Sequence, residues 1–277
     1  MPSSRKLTYV SLLGGALLLA GCARPPVAPM VPSAPAGVTA EELVALLRER
    51  GAAIRTMKAQ FSVEATGAAL KGTQRMEAAL VYQRPGSIRL QTFARIGFPV
   101  FDLMLVDDDY QIKFPMNGKL LKGRIAELDR QSGQGGLGAP ITLALQATLG
   151  NLNGPSVSPT DHVALREEGG QYVLDVIPTG LDEEGARRFW FDRSSLEVVR
   201  QEFFGALGEI RATIVFQDYR RAGPVQRPYL VRAEDVRGQA KLVLSFHEIV
   251  PNPQLTPQDW GVSEAPATEL PAPKGGG

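Results

Sequence analysis

Residues 39–64 read TAEELVALLRERGAAIRTMKAQFSVE, and a change of period inside this stretch decides the fold. Thr39 and Glu42 form a T-x-x-E capping box, in which each side chain satisfies a free backbone donor at a helix start. Leu43, Leu46, Leu47 and Ile54 then fall on one face at 3.6-residue spacing and leave Glu41, Arg48, Glu49 and Arg55 for the other side. The spacing predicts one amphipathic helix over 39–55 that packs on something apolar. From Met57 the period drops to two. Met57, Ala59, Phe61 and Val63 alternate with Lys58, Gln60, Ser62 and Glu64, the signature of a half-buried strand.

Working outward, the same period recurs along most of the chain. Met76, Ala78, Leu80 and Tyr82 alternate with more polar neighbours, Pro85-Gly86 marks a turn, and Ile88 and Leu90 follow. Val100 to Val106 is a nearly continuous apolar run. The aspartates at 107–109 turn into Tyr110 to Phe114, and Asn117-Gly118 is a strong hairpin signal. After Gly169-Gly170 come Tyr172, Leu174 and Val176. Phe189 and Phe191 precede a turn at 192–195, Ile210 to Tyr219 alternates again, and so do Leu242, Leu244 and Phe246. That makes about eleven short strands with tight turns and no regular βαβ alternation. The expected class is therefore mainly β with helices (α+β), its sheet antiparallel with one apolar face and one polar face.

Residues 124–158 break the pattern. A glycine-rich stretch, Gly133 to Gly138, leads through Pro140 into Ile141-Thr-Leu-Ala-Leu-Gln-Ala-Thr-Leu149. The periodicity of this run fits a short helix or a strand; the expectation is a helix on a hinge lying over the apolar face of the sheet.

At the amino terminus, Leu19-Ala20-Gly21-Cys22 closes an apolar run and matches the lipobox of bacterial lipoproteins. Arg5 and Lys6 precede an apolar segment of 14 residues, Leu7 to Ala20, short of the ~20 needed to span a bilayer. A plain secretory signal or an amino-terminal anchor is the alternative. Cys22, the only cysteine, is the expected lipidation site, and its covalent diacylglycerol and acyl groups are the only attached group expected; no other cofactor is implied. Residues 23–38 carry five prolines and form a polyproline-like tether that reaches up to ~50 Å at ~3.1 Å per residue. The expected organisation is a signal peptide at 1–21, the lipidated cysteine and tether at 22–38, a single domain at 39–260 and a disordered tail at 261–277, its start pinned by Trp260.

Composition narrows the function classes. Cleavage before Cys22 removes 21 of 277 residues and two of the 30 basic side chains, leaving 28 basic against 29 acidic. Near-neutrality argues against nucleic acid, which usually needs a basic face. Hydrophobic content of 44% suits a packed domain. With its one cysteine lipidated, the domain has no internal disulfide and depends on its core.

The chain offers little catalytic chemistry. Gly133, Gly135 and Gly138 satisfy G-x-G-x-x-G formally, but a dinucleotide site needs a strand before and a helix after within a βαβ unit. His162 and His247 are the only histidines, and neither lies in a metal-binding pattern. No G-x-S-x-G elbow occurs. Asp107, Asp108 and Asp109 lack the rest of an EF-hand loop and read as turn residues. No metal site and no enzyme activity are expected; the chain reads as a binding protein.

If the sheet curls incompletely around its helices, it becomes an open half-barrel with an apolar cavity. Its expected lining is Phe61, Leu80, Leu90, Leu174, Phe191, Leu244 and Phe246. An alternating apolar face is ordinarily a packed core, but the order of elements adds to the cavity reading. A lipidated cysteine, a tether, a leading helix, hairpin strands, a central helical insertion and further strands resemble the LolA/LolB-like superfamily of bacterial lipoprotein carriers. The segments Arg95 to Ile112, Asn117-Gly118-Lys119 and Leu255 to Trp260 are similar in style to that group, over roughly residues 39–260. The resemblance implies a half-barrel that binds acyl chains of lipoproteins or phospholipids, with a soluble periplasmic carrier as a possible deliverer. It also implies an apolar loop that meets the membrane, for which Ile96 and Phe98, flanked by Gly97 and Pro99, are the candidates; packing of both against the core is the alternative. Ala23 after the lipidated cysteine, not aspartate, implies the periplasmic face of the outer membrane. No arginine corresponds to the one that holds the lid in the soluble carriers, so lid control is not carried over. A lipidated structural or interaction module without a cavity is the competing function.

Overall fold

The computed structural model describes residues 37–68, 70–125, 127, 138–149, 157–158, 160–179, 185–235 and 240–261. The signal peptide, Cys22, most of the tether, most of the glycine-rich stretch (133–137) and the tail from 262 lie outside the described residues. Helix α1 (Ala40–Ala52) opens the domain. Thr39 is its N-cap, and both capping-box bonds form, Glu42 N to Thr39 Oγ1 at 3.2 Å and Thr39 N to Glu42 Oε2 at 2.9 Å. Leu43 and Leu47 are buried as expected, and so is Ile54 just beyond the helix. Leu46 is only half-buried and Val44 takes its place, because the buried stripe is rotated toward Val44 while keeping Leu43 and Leu47.

Six strands follow: β1 (Thr56–Gly67), β2 (Gln74–Gln83), β3 (Ser87–Ala94), β4 (Pro99–Val106), β5 (Asp109–Phe114) and β6 (Lys119–Arg124). Helix α2 (Gly138–Leu149) comes next. Seven further strands complete the sheet: β7 (His162–Glu168), β8 (Gln171–Ile177), β9 (Arg187–Asp192), β10 (Val198–Phe204), β11 (Ile210–Ala222), β12 (Val225–Asp235) and β13 (Ala240–Pro251). The count among the described residues is thirteen, not eleven. From sequence, no residues of β7, β10 or β12 are read as strand, and β6 only through the hairpin at Asn117-Gly118. Edge strand β7 (HVALREE) has only short apolar residues to alternate, and β12 (VQRPYLVRAED) mixes charges and Pro228 into its inward face.

All thirteen strands form one antiparallel sheet in the order β6-β5-β4-β3-β2-β1-β13-β12-β11-β10-β9-β8-β7. The chain meanders from the centre to the β6 edge, crosses to the far edge at β7, and meanders back until β13 pairs with β1. The β6 and β7 edges do not pair, so the sheet stays open; charges at Lys119, Lys122, Arg124, Arg166 and Glu167 line those edges and disfavour further strand addition. A sheet of this width must coil under its accumulated twist. The long crossover from β6 to β7 carries α2, which packs on β12 and β13.

The concave face holds one core into which both helices are buried. On β1, Met57, Ala59, Phe61, Val63 and Ala65 all point into it, as the period-two reading requires. The convex face is polar. Arg89 binds Asp102 through two bonds of 2.6 and 3.1 Å and also donates to the Asp259 carbonyl at 3.1 Å. Lys58 reaches the Asp259 carboxylate at 2.7 Å. Asp259, more than the half-buried Trp260, therefore ties the terminal 3-10 turn (Pro257–Trp260) to the sheet.

A candidate lipid-binding cavity at one rim of the sheet

The taper of side-chain size along the inward face creates the cavity. On β3 the inward residues shrink from Ile88 and Leu90 to Thr92 and Ala94, and on β1 from Phe61 to Val63 and Ala65. The small ends meet at the same end of the sheet, where facing residues no longer fill the space between sheet and helix. A cavity of about 300 Å³ results. Strands β1 to β5 and β13 form its wall, and Pro140, Ile141, Ala144 and Thr148 of α2 form its roof. Ile141, Ala144 and Thr148 recur at i, i+3 and i+7, one face of the helix. Thr148 Oγ1 bonds back to the Ala144 carbonyl at 2.7 Å and so exposes little polarity to the cavity. Thr92 Oγ1 is likewise occupied, accepting from Phe101 N at 3.3 Å.

Phe61, Leu90 and Leu244 line this cavity, and Phe246 lies beside it with its ring 4.7 Å from that of Phe61. Leu80, Leu174 and Phe191 do not reach it: all three are fully buried in closed parts of the core. Inward alternation alone does not separate a cavity wall from closed core. The residues that sequence reasoning missed are the small ones, Val63, Ala65, Thr92, Ala94 and Ala144. Their signal is a run of small side chains at successive inward positions.

The antiparallel register puts every alternate turn at the cavity end of the sheet, including 68–73, 95–98, 115–118 and 205–209. Ile96 and Phe98 sit in the β3–β4 turn, 79% and 60% exposed, so they do not pack against the core. Gly97 between them takes φ +85°, which lets Ala94 N reach the Phe98 carbonyl at 2.8 Å and closes the turn. Met116 is exposed on the next hairpin tip, ~10 Å away at two strand spacings. Among the described residues, six of the eight exposed large hydrophobic side chains lie at this end: Ile96, Phe98, Met116, Leu120, Ile177 and Leu207.

Arg75 lines the cavity and pairs with Glu64 at 2.6 Å, both side chains exposed; the buried charges gather elsewhere. At the opposite end Arg50 of α1 bonds the Leu196 carbonyl at 2.6 Å and Glu197 at 3.2 Å. Arg227 of β12 is buried beneath the helix and donates to the Arg50 carbonyl at 3.5 Å. Burial pushes Glu197 above the usual carboxylate range, pushes Arg227 below the usual guanidinium value and raises Tyr219. Sequence reading identified no arginine inside the half-barrel; Arg227 is one, but it anchors α1 away from the cavity. His162 starts β7, while His247 lies on β13 at 3.5 Å from Glu77, so the two histidines form no pair. Asp107 and Asp108 make the β4–β5 turn, with Asp108 bonded to Arg124 at 3.0 Å. Among the described residues no cluster of His, Cys, Asp or Glu is arranged to hold a metal ion, and no helix is long and apolar enough to cross a membrane.

The fold is similar to that of several solved structures, one of them a LolA superfamily protein. A LolA superfamily protein from Nitrosomonas europaea matches with a TM-score of 0.56 at 11% identity, over 80% of this chain and 97% of its own. An outer membrane lipoprotein-sorting protein domain from Vibrio parahaemolyticus matches with a TM-score of 0.56 at 14% identity, over the same shares. A DUF1329 family protein from Desulfovibrio piger gives 0.55 at 9% identity, over 79% and 94%. At these identities the likeness is one of fold. No protein-family model and no curated protein matches the sequence.

Proposed function

We propose that this protein is a lipid-anchored envelope protein that binds acyl chains of lipids or lipoproteins in the rim cavity and exchanges them with a membrane, without covalent chemistry. One observation carries the reading: the apolar cavity lies at the same end of the sheet as the exposed Ile96 and Phe98. An apolar ligand leaving the cavity there meets side chains that favour lipid over water, so the transfer path stays apolar. That a lipoprotein-sorting domain uses this fold supports the same reading. The lipobox supports anchorage through Cys22, and Ala23 supports the periplasmic face of the outer membrane. Two lipid signals, the Cys22 acyl groups and the rim, would together hold the domain against a bilayer more firmly than one. A soluble periplasmic carrier is the natural source of cargo.

The test is native mass spectrometry of the protein purified from its host, run beside a Cys22→Ser variant in membrane fractionation. A co-purifying lipid or lipopeptide mass, and release of Cys22→Ser from the membrane, are expected. An apo mass with no uptake of a fluorescent fatty acid overturns the binding reading. The second reading, a structural or interaction module, is favoured by the core under β8 and β9, where Tyr172, Leu174, Phe189 and Phe191 are buried.

A further inference from the structure

We infer that the cavity admits one acyl chain, and about twelve carbons of it, not two or three chains together; this rests on the acyl-binding reading above. The argument is one of volume and of walls. A dry apolar cavity of ~150 Å³ accommodates benzene, six carbons. The cavity here is about 300 Å³, so it holds roughly twice that, ~12 carbons. It stands at the small end of ligand pockets, which run ~300–1,000 Å³. A lipid with two or three chains therefore overfills it several times.

The walls do not yield easily. The floor is the Phe61 ring, backed by Phe246 at 4.7 Å, and next to it Leu90 and Leu244 are fully buried. Behind the floor lie Leu80 and Leu103, packed without exposure. The roof helix is held on its other faces, where Leu143, Leu145 and Ala147 are buried. Close-packed interiors resist such expansion. The chain end thus stops against Phe61, and the polar end of the ligand stays at the rim. Gln74, whose amide donates to the Lys71 carbonyl at 2.6 Å, and Arg75, paired with Glu64 at 2.6 Å, line the cavity there. The occupant is one acyl chain, supplied either by a single-chain amphiphile or by one chain of a larger lipid whose remaining chains stay outside.

The experiment is calorimetric titration of the full chain with lysophosphatidylcholines of increasing chain length, then with diacyl and triacyl lipids. Affinity is expected to rise about four-fold per added CH₂ up to ~12 carbons and then level off, at one ligand per protein. Ala144→Leu projects three more carbons into the cavity without touching the closed core, and it should bring the break down to ~9 carbons. A diacyl lipid bound with the increment of a single chain supports the inference and points to a larger lipid as the source; binding of lysolipids alone supports it and points to single-chain amphiphiles. A break beyond ~16 carbons, an unmoved break in Ala144→Leu, or a separate increment from each chain of a diacyl lipid overturns the one-chain inference and leaves acyl binding intact. Failure of every amphiphile to bind overturns both.

Discussion

Two phenylalanines that look equivalent in sequence should respond differently to the same truncation. Phe61 is 1% exposed and Phe191 is 0% exposed, and both point inward from strands. Truncating a buried phenylalanine to alanine costs ~3–5 kcal/mol, and the spread reflects how much packing is lost and how far the site collapses. Phe191 is enclosed by the filled core between β8 and β10, so Phe191→Ala belongs at the upper end, ~5 kcal/mol. One side of Phe61 faces the 300 Å³ cavity, and atoms facing empty space contribute no dispersion contacts. Phe61→Ala should therefore cost ~3 kcal/mol, part of it the ~0.5–1.5 kcal/mol of its pairing with Phe246. Urea unfolding followed by the fluorescence of Trp190 and Trp260 measures both. Adding a long-chain fatty acid sharpens the contrast: at a hundred times its Kd, a ligand restores ~2.7 kcal/mol to the Phe61 variant, because the enlarged cavity still binds it. Equal destabilisation at the two sites, or equal rescue, would refute the placement of Phe61 on a cavity wall.

Three further outcomes follow from individual contacts. Ile96→Ser with Phe98→Ser should leave thermal stability within ~0.5 kcal/mol, since both side chains are exposed, yet lower binding to phospholipid vesicles by at least ~10-fold in flotation assays; unchanged flotation would remove the rim from the transfer path. Thr39→Ala breaks one half of the capping box, the bond from Glu42 N to Thr39 Oγ1, and should cost ~1 kcal/mol in a melt; a loss under ~0.3 kcal/mol would show that packing and the remaining bond hold α1. Asp192 is held below the usual carboxylate range, chiefly by the Ser194 hydroxyl and then by Ser195. A depressed folded value means that its contribution is complete above the unfolded value near ~4 and is lost as pH falls through the folded one. Asp192→Asn should thus be less stable at neutral pH and show a shallower decline below pH ~4 than the native chain; parallel acid curves would contradict the turn geometry.

The sequence is most legible where one face is buried and the other wet. The capping box at Thr39 and Glu42, the alternation of β1 and the hairpin at Asn117-Gly118 each specify local structure through a rule that needs no partner. Strands β7, β10 and β12 are less legible because tertiary context, not pattern, makes them strands. β7 is completed by its pairing with β8, and β12 gains its place between β11 and β13 despite Arg227 and Pro228. The helix expected in the apolar run is present as α2, but its period is weak: Leu143, Leu145 and Ala147 are buried away from the cavity, and Ile141, Ala144 and Thr148 face it. A segment apolar all round has no period to read.

The cavity poses a harder problem, because wall and core residues obey the same alternation. What distinguishes them is the volume that arrives from the opposite side, and that is set by a crossover distant in the chain, Ala144 lying 50 positions beyond Ala94 and 79 beyond Ala65. At the deep end, Phe61 and Leu80 meet large neighbours and the space closes. At the rim, Ala65, Thr92 and Ala94 meet Ala144, and small faces small. A natural core would put a large side chain opposite each small one, since an empty volume of this size costs ~24 cal/mol per Å³ in packing. At about 300 Å³ that is ~7 kcal/mol, comparable to the whole stability of a domain. Ala144→Leu fills part of the space with three carbons and should raise stability by up to ~2.4 kcal/mol. A void that a single substitution would fill so favourably is retained only where something else occupies it. If Ala144→Leu proves neutral or destabilising, the space is already well packed in solution and the case for a ligand there collapses.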